Sequence, residues 1–369
     1  MRIFKCLKKA SFILIVIIIN CVLSFLLEPA SGASGRMWSG YYEQEKLDTI
    51  FVGSSLCQQT FVPSIVDEAM GVKSYNMGTP SQAVPQSLRA IQVAVEEHGV
   101  ETVIYGMGLS TFASEPIREA KLTFESERVR KKGGLGGFVS AVEYVCSEDV
   151  RATEDSIIFW FPWLYNHESY DVQTIKSNVD YKVKRMETKF RGLYFDDTEG
   201  LAKGYRNDDR TIFEYESKWG TLSNNLYSSK LDADMMCELE SILEYCNEKG
   251  VDLVVMNTPH SPFAVVSCYP FYEECQDEIG ALCDKYDVDY YDFSLVKPEV
   301  FECRAEYFAD YEHLNRNGSE VFSQKLSQFL LSRKNGEDMS NYFYSEDEFF
   351  EIHEREVAAW KKAGNHSNK

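Results

Sequence analysis

Two short stretches of the sequence carry residue types that could together perform nucleophilic catalysis. The first is DTIFVGSSLCQQTF, in which an apolar run ends in a glycine and two adjacent serines, Ser54 and Ser55. The second lies near the C-terminus, where Asp310 and His313 stand three residues apart ahead of a predicted helix. A serine hydroxyl needs a base, and the base needs a carboxylate that fixes its tautomer and stabilises the imidazolium. These types and spacings favour acyl transfer through a serine.

The two serines also have a purely structural interpretation. A strand that turns into a helix exposes a side chain and the first N–H groups of the helix, which offers a nucleophile and part of an oxyanion hole. A serine at such a junction can equally be only the N-cap of the helix. The second stretch favours catalysis, because among six histidines His313 is the one with an aspartate at this spacing and place in the fold.

The elements that must position these residues follow an alternation of β-rich and helical runs, which is typical of parallel α/β sheets. Five strands are predicted, at residues 49–53, 73–78, 101–108, 251–259 and 288–294. Helices are predicted over 85–99, 231–250, 270–286 and 317–332, two of them ending on a glycine. We therefore expect an α/β fold with a doubly wound, mostly parallel five-strand sheet.

Residues 109–228 break this alternation and are predicted to be a large insertion after the third strand of a domain that spans 47–335. Ligands bind at the carboxyl ends of strands in open α/β sheets, so this insertion is expected to overhang the site. One aromatic run in it could form a lid or be ordinary core packing. That run contains Trp160, Phe161, Trp163 and Tyr165. A linker over 29–46 and an acidic C-terminal tail over 336–369 flank the domain.

Residues 1–28 are predicted to be a membrane anchor or a signal segment. An uncharged run extends from Ser11 to Leu27, and at 1.5 Å per residue it spans roughly 26 Å, close to a hydrocarbon core of about 30 Å. The basic residues before it are Arg2, Lys5, Lys8 and Lys9. They predict that the chain after Glu28 lies outside the cytoplasm, whether the segment is kept or cleaved.

Composition excludes some classes of function. The chain has 369 residues, 44% of them apolar, which is ample for a core. Its net charge of −20 argues against binding nucleic acid and against electrostatic docking on anionic lipid.

Ten cysteines are present, without a CxxC pair after the N-terminal segment, and no metal site is expected. Four of them lie in predicted helices: Cys237, Cys246, Cys275 and Cys283. Disulfides and buried free thiols both stay open.

The separated motifs resemble those of the SGNH (GDSL-type) hydrolases, and among them a branch of DltD-like and alginate-O-acetylation-like envelope proteins. The family's G-D-S-L pattern matches Gly53 to Leu56, which implies that Ser55 is the nucleophile and that Ser54 replaces the aspartate. The glycine of the second motif matches Gly78, whose N–H would join that of Ser55 in the oxyanion hole. The D-x-x-H motif matches Asp310 and His313. The resemblance covers blocks between 48 and 332, outside the insertion.

One departure from the family pattern concerns the oxyanion hole. The third motif, G-x-N-D, falls on residues 106–109, where the asparagine that donates to the oxyanion is absent. Losing one such donor costs about 10²–10³ in rate in a model protease, so another group would have to replace it, or a slower transfer reaction is favoured. Further residues are predicted to contact substrate: Ser54, Gly108, Ser110, His167 and His260.

The resemblance implies an extracytoplasmic acyl-ester hydrolase or O-acyltransferase that acts on a cell-envelope glycopolymer through an acyl-serine. Its expected partners are an acyl donor, a polysaccharide or teichoic-acid-like acceptor, and a membrane-bound O-acyltransferase. No metal, organic cofactor or nucleic acid is implied. The alternative function is that of a non-catalytic SGNH-fold protein that binds or scaffolds components of an envelope acylation complex.

Overall fold

The fold is taken from a computed structural model, which describes residues 2–28, 32–112, 118–147, 159–164, 170–190, 201–212, 231–268 and 271–367. The chain divides into two compact units. One unit combines residues 1–39 with 122–196, and the other combines 40–121 with 197–369. The interval predicted as an insertion is therefore shared between the two units, with divisions after residues 121 and 196.

The helices and strands of the described residues are as follows. The helices are α1 (Arg2–Leu27), α2 (Ala33–Tyr41), α3 (Ser55–Thr60), α4 (Pro63–Met70), α5 (Val84–His98), α6 (Arg118–Lys132), α7 (Gly134–Cys146), α8 (Val172–Phe190), α9 (Ala233–Lys249), α10 (Pro262–Cys268), α11 (Phe271–Lys285), α12 (Arg316–Lys334) and α13 (Glu346–Ser367). The strands are β1 (Thr49–Gly53), β2 (Ser74–Asn76), β3 (Thr102–Met107), β4 (Leu201–Ala202), β5 (Tyr205–Arg206), β6 (Asp252–Asn257) and β7 (Asp289–Asp292).

A five-stranded sheet of order β2-β1-β3-β6-β7 forms the centre of the second unit, and its neighbouring strands are all parallel. The order reverses after β2, so the sheet is doubly wound, and the carboxyl ends of β1 and β3 lie at the switch point where ligands bind in such folds. The predicted α/β class and five-strand sheet are confirmed, with strand ends that differ from the predicted ones by a few residues at most.

The sheet is apolar because helices cover it on both faces. Every residue of β1 is buried, as are the last five residues of β3 and of β6. Helix α5 packs on β1 and on α9, and α12 packs on α3 and α4. On the α12 side the ring of Phe61 stacks on that of Phe51 at 4.8 Å, while Phe322 meets Phe293 at 5.1 Å. This aromatic layer fixes α3 against the sheet.

Residues 201–212 belong to the sheet unit although the sequence placed them in the insertion. They form the small β4–β5 hairpin and then run toward the D-x-x-H segment. The backbone N–H of Asn76 donates to the Lys203 carbonyl at 2.9 Å, and that of Ile212 donates to the Phe308 carbonyl at 2.8 Å. The segment thus links the end of β2 to the loop before α12.

The other unit is built around α1. The span from Lys8 to Leu27 is long and apolar enough to cross a membrane, with a mean hydropathy of 2.8. Its C-terminal end is held by α8, since Lys182 Nζ donates to the carbonyls of Phe25 and Glu28 at 2.7 and 2.6 Å. Arg130 of α6 forms an ion pair with the Glu28 carboxylate at 2.9 Å. Helix α1 is therefore an integral part of this unit.

The aromatic run considered as a lid contacts α1. Trp163 donates its indole N–H to Asn20 Oδ1 at 2.9 Å, and the Asn20 side-chain amide donates to the Trp160 carbonyl at 2.7 Å. Tyr165 lies outside the described residues.

The cysteines predicted to lie in helices are in α9 and α11, and all four are free thiols.

Candidate active site

The junction between β1 and α3 is set by Gly53. Its φ of 152° and its close approach to β3 exclude a side chain, because a Cβ on Gly53 would lie 1.9 Å from the Gly106 carbonyl oxygen. Ser54 is the N-cap of α3, and its hydroxyl accepts from the Leu56 N–H at 3.3 Å. Ser55 is the first residue of the helix. The two serines therefore divide the capping and candidate nucleophile positions between them.

Ser55, His313 and Asp310 lie together as a hydrogen-bonded chain. His313 Nε2 is 2.9 Å from Ser55 Oγ. On the other side of the ring, Nδ1 is 2.9 and 3.1 Å from the two carboxylate oxygens of Asp310. An ionised carboxylate only accepts, so Nδ1 carries the proton of the neutral ring and Nε2 accepts from the serine hydroxyl. This is the geometry in which a serine can be deprotonated by its neighbour.

The electrostatics of the pair keep the base and its carboxylate in useful states. Burial acts to lower the pKa of His313, but the hydrogen bond and negative charge of Asp310 outweigh it and raise that pKa above its ordinary value. Burial acts to raise the pKa of Asp310, yet its hydrogen bond to His313 lowers it to about 2. Asp310 is thus ionised at neutral pH and stabilises the imidazolium that forms when Ser55 loses its proton.

The loop that carries both residues is fixed at each end. Phe308 and Leu314 form an antiparallel bridge across it, and the Ala309 N–H donates to the His313 carbonyl at 2.9 Å. Next along the chain, Asn315 caps α12 by accepting from the Gly318 N–H at 3.0 Å. Within the loop, Asp310 Oδ1 also accepts from the backbone N–H of His313 at 2.9 Å. The D-x-x-H spacing closes one turn that holds the imidazole against its carboxylate.

Gly78, the glycine matched to the second motif, lies beside α3, and its N–H has a partner within the protein. A Cβ on Gly78 would lie 2.7 Å from the Gln58 nitrogen and 3.0 Å from the Ser54 carbonyl oxygen, so only glycine fits there. Its N–H donates to Asn76 Oδ1 at 2.9 Å. The amide expected to bind an oxyanion is therefore engaged by a side chain in this structure.

Asn76 is a site residue that the sequence reasoning missed. Its side chain is fully buried, and its amide donates to the carbonyls of Cys57 and Phe61 at 2.9 Å each. These two contacts tie the end of β2 to the middle of α3 and to its C-cap. The only signal in the sequence is a polar residue at the end of a short strand, two positions before the motif glycine.

Replacing Asn76 with alanine is expected to destabilise the protein. The substitution removes the Asn76 partner of the buried Phe61 carbonyl and of the Gly78 N–H, and each group left unsatisfied costs about 1–3 kcal/mol. Urea unfolding followed by circular dichroism should show a loss of at least about 2 kcal/mol. Asn247→Ala is the matched control, because the hydrogen bond from the Asn247 side-chain amide to the Tyr286 carbonyl is solvent-exposed. Equal stability of the two variants would contradict this role.

His260 and Gly108 are brought together beside α3. A Cβ on Gly108 would lie 2.1 Å from Leu56 Cδ1 and 3.3 Å from His260 Nε2. Of the other residues predicted to contact substrate, Ser110 lies in the 3₁₀ turn that follows β3. His167 lies outside the described residues. The end of β3 and the loop after β6 thus meet next to the serine-bearing helix.

The protonation state of His260 decides what it can do there. Nδ1 is 2.5 Å from the Thr258 carbonyl, which can only accept, so Nδ1 carries the proton and Nε2 presents a lone pair. Burial lowers the pKa of His260 to about 4, so the ring is neutral at pH 7. A neutral acceptor cannot stabilise an oxyanion, and His260 therefore does not replace the missing asparagine. Its Nε2 is suited to accept a hydrogen bond from a hydroxyl group.

Comparisons with known proteins give only distant similarities. No family model and no curated protein matches the sequence. Among solved structures, a lipase/acylhydrolase from Enterococcus faecalis is 11% identical with a TM-score of 0.36, covering 77% of this chain and 95% of its own. The psychrotrophic esterase EstA from Pseudoalteromonas sp. is 8% identical with a TM-score of 0.35, covering 78% and 99%. These values assign no family, and function has to be inferred from the site itself.

Proposed function

We propose that the protein is a serine-dependent acyl-ester hydrolase or O-acyltransferase that works through an acyl group on Ser55. The observation that carries the proposal is the continuous chain of hydrogen bonds from Ser55 Oγ through His313 to Asp310. A partly buried imidazole with a raised pKa, oriented by an ionised carboxylate and in contact with a serine hydroxyl, is a general base beside its nucleophile.

In the first half-reaction, Ser55 Oγ attacks the ester carbonyl carbon of the acyl donor while His313 Nε2 takes the hydroxyl proton. The tetrahedral oxyanion would accept from the Ser55 N–H at the start of α3. When the carbonyl re-forms, the bond to the leaving oxygen breaks, and that oxygen takes the proton from His313. The products are an alcohol and acyl-Ser55, and Asp310 keeps its charge throughout.

In the second half-reaction, water or an acceptor hydroxyl gives its proton to His313 Nε2 and attacks the acyl carbon. The bond from that carbon to Ser55 Oγ then breaks, and the serine oxygen regains the proton. His260 supports a hydroxyl-bearing acceptor, because its Nε2 is an unprotonated acceptor beside Gly108. We therefore favour transfer to a polyol, such as a cell-envelope glycopolymer, over release to water.

We further propose that α1 is kept as a membrane anchor. A signal segment that is cleaved contributes nothing to the final fold, whereas the end of α1 is bonded to Arg130 and Lys182 and its Asn20 to the aromatic run. The basic residues before the span direct the rest of the chain out of the cytoplasm. A membrane-bound O-acyltransferase as the source of the acyl group remains a prediction from the sequence resemblance.

A second candidate function is non-catalytic binding within an acylation complex. It is favoured by the oxyanion hole, in which the Gly78 N–H is engaged by Asn76 and the third-motif asparagine is absent. Such a protein would hold an acylated ligand without forming a covalent bond to it. The two candidates differ in whether Ser55 is nucleophilic.

A fluorophosphonate probe tests the proposal directly. The purified full-length protein is expected to gain one phosphonyl group, which peptide mass spectrometry locates on Ser55, because the probe traps activated serines. Heat-denatured protein serves as the control and should stay unlabelled, since the triad no longer exists. An adduct on a different serine would overturn the assignment, and complete lack of labelling of the native protein would favour the binding function.

A further inference from the structure

One face of α7 is an unbroken apolar stripe that points away from the protein. Leu135, Phe138, Val139 and Val142 are 80, 65, 47 and 47% exposed, and Cys146 continues the row one turn later. Their spacing of three and four residues places them on one side of the helix. In a water-soluble protein such a row would be turned inward, so its exposure calls for an apolar environment.

The opposite face of α7 packs on the aromatic run that contacts α1. Tyr144, on the side away from the stripe, meets the ring of Phe159 at 5.5 Å, and Phe159 meets Trp160 edge to face at 5.1 Å. The Trp160 carbonyl accepts from the Asn20 amide. Helix α7 is therefore joined to the apolar span by a chain of direct contacts within one compact unit.

The position of Asn20 sets the depth of these contacts. Asn20 precedes Leu27, the last residue of α1, by seven residues. At 1.5 Å per residue it lies about 10 Å from that end of the helix. If α1 spans the bilayer, the aromatic run is held about 10 Å below the outer end of the span, and interfacial helices bury their apolar face by roughly 5–10 Å. Trp160, half exposed here, is typical of this zone.

We propose that the stripe on α7 lies in the outer leaflet of the membrane, so that the chain contacts lipid through an interfacial helix as well as through α1. The proposal rests on the anchor function of α1. Lipid is the occupant that fits, because the flank of α1 in the same unit is itself exposed and apolar from Phe12 to Ile19. Only one charged residue, Glu143, lies on α7, and the net charge of −20 argues against electrostatic attraction of the chain to anionic lipid. Burial of apolar side chains drives the contact.

The proposal can be tested by measuring depth in a bilayer. The full-length protein is placed in phosphatidylcholine nanodiscs with a genetically encoded fluorescent amino acid at Val139 in the stripe. Matched variants carry it at Ile15 in α1 or at Ser177, an exposed polar position on α8 of the same unit. Each variant must keep the wild-type melting temperature. The readouts are quenching by nitroxide lipids labelled near the headgroup or near the chain end, and quenching by aqueous iodide.

The proposal predicts loss of most Val139 fluorescence to the headgroup-proximal nitroxide, with little effect of iodide. Ile15 should be quenched by the chain-end nitroxide, and Ser177 only by iodide. Iodide quenching at Val139 with nitroxide quenching at Ile15 would refute the interfacial helix while the anchor stands. Protection of Val139 from both quenchers would show that protein covers the stripe and would refute lipid as its occupant. Iodide quenching at Ile15 would show that α1 does not span the bilayer, and would refute both the anchor and the interfacial helix.

Discussion

Ser55→Ala is expected to lower kcat for an activated acyl ester by about 10⁴- to 10⁶-fold, the range seen when the nucleophile of a serine hydrolase is removed. The variant keeps the fold, because the hydroxyl of Ser55 bonds only to His313 among the hydrogen bonds that the structure describes. Without that oxygen no acyl-enzyme can form, and residual turnover comes from bound water. Hydrolysis of p-nitrophenyl acetate by the full-length protein measures the change.

Ser54→Ala is the matched control for this prediction. Its hydroxyl caps α3 by accepting from the Leu56 N–H, and loss of an N-cap costs about 1 kcal/mol of stability. The melting temperature should fall while most of the activity remains. Comparable activity in the Ser55→Ala protein, or its loss only in the Ser54→Ala protein, would show that the nucleophile has been misassigned.

Asp310→Asn is expected to lower kcat by about 10⁴-fold, because the amide no longer fixes the Nδ1-protonated tautomer of His313. It should also move the acid limb of the pH–rate profile to lower pH. Neutral His313 is the active base, so activity falls as the pH drops through its pKa. Asp310 raises that pKa, whereas burial lowers it. Without the carboxylate, burial lowers the pKa of His313, and a lower pH is then needed to protonate its ring.

Glu312→Gln separates charge from hydrogen bonding in the same loop. The Glu312 carboxylate also raises the pKa of His313, but through its charge alone. This variant should shift the acid limb in the same direction while keeping kcat near the wild-type value. The measurement is kcat/KM from pH 4 to 9 on the full-length proteins. An unshifted acid limb in the Asp310→Asn protein would mean that His313 is not the group that titrates.

The sequence predicted those parts of the molecule that local pattern determines. Short β-rich runs that alternate with helical ones identified the five strands, and the D-x-x-H spacing identified a loop whose two side chains meet because one turn separates them. The role of Asn76 could not be predicted in this way. Two of its partners, Cys57 and Phe61, lie in α3 and at its C-cap, 19 and 15 positions earlier in the chain, and the pairing of β2 with β1 brings them within hydrogen-bonding distance.

The region after β3 shows the same limit on a larger scale. Its polar, aperiodic sequence indicated one continuous insertion over the site. Instead, residues 201–212 pack with the sheet unit and support the D-x-x-H loop through Ile212, while 122–196 fold with α1. Both assignments depend on contacts with residues far along the chain, such as Asn20 with Trp160, which periodicity does not encode.

The hydrogen bonds of Asn20 also constrain the order of events during synthesis and membrane insertion of the chain. Its partner carbonyl belongs to a residue 140 positions later in the chain. At about 5–20 residues per second, that segment is synthesised roughly 7–28 s after Asn20. In an anchored chain, α1 therefore enters the bilayer with an unpaired side-chain amide, which costs free energy in hydrocarbon. Arrival of the aromatic run removes that penalty, so docking of this late segment completes membrane insertion that began with the first helix.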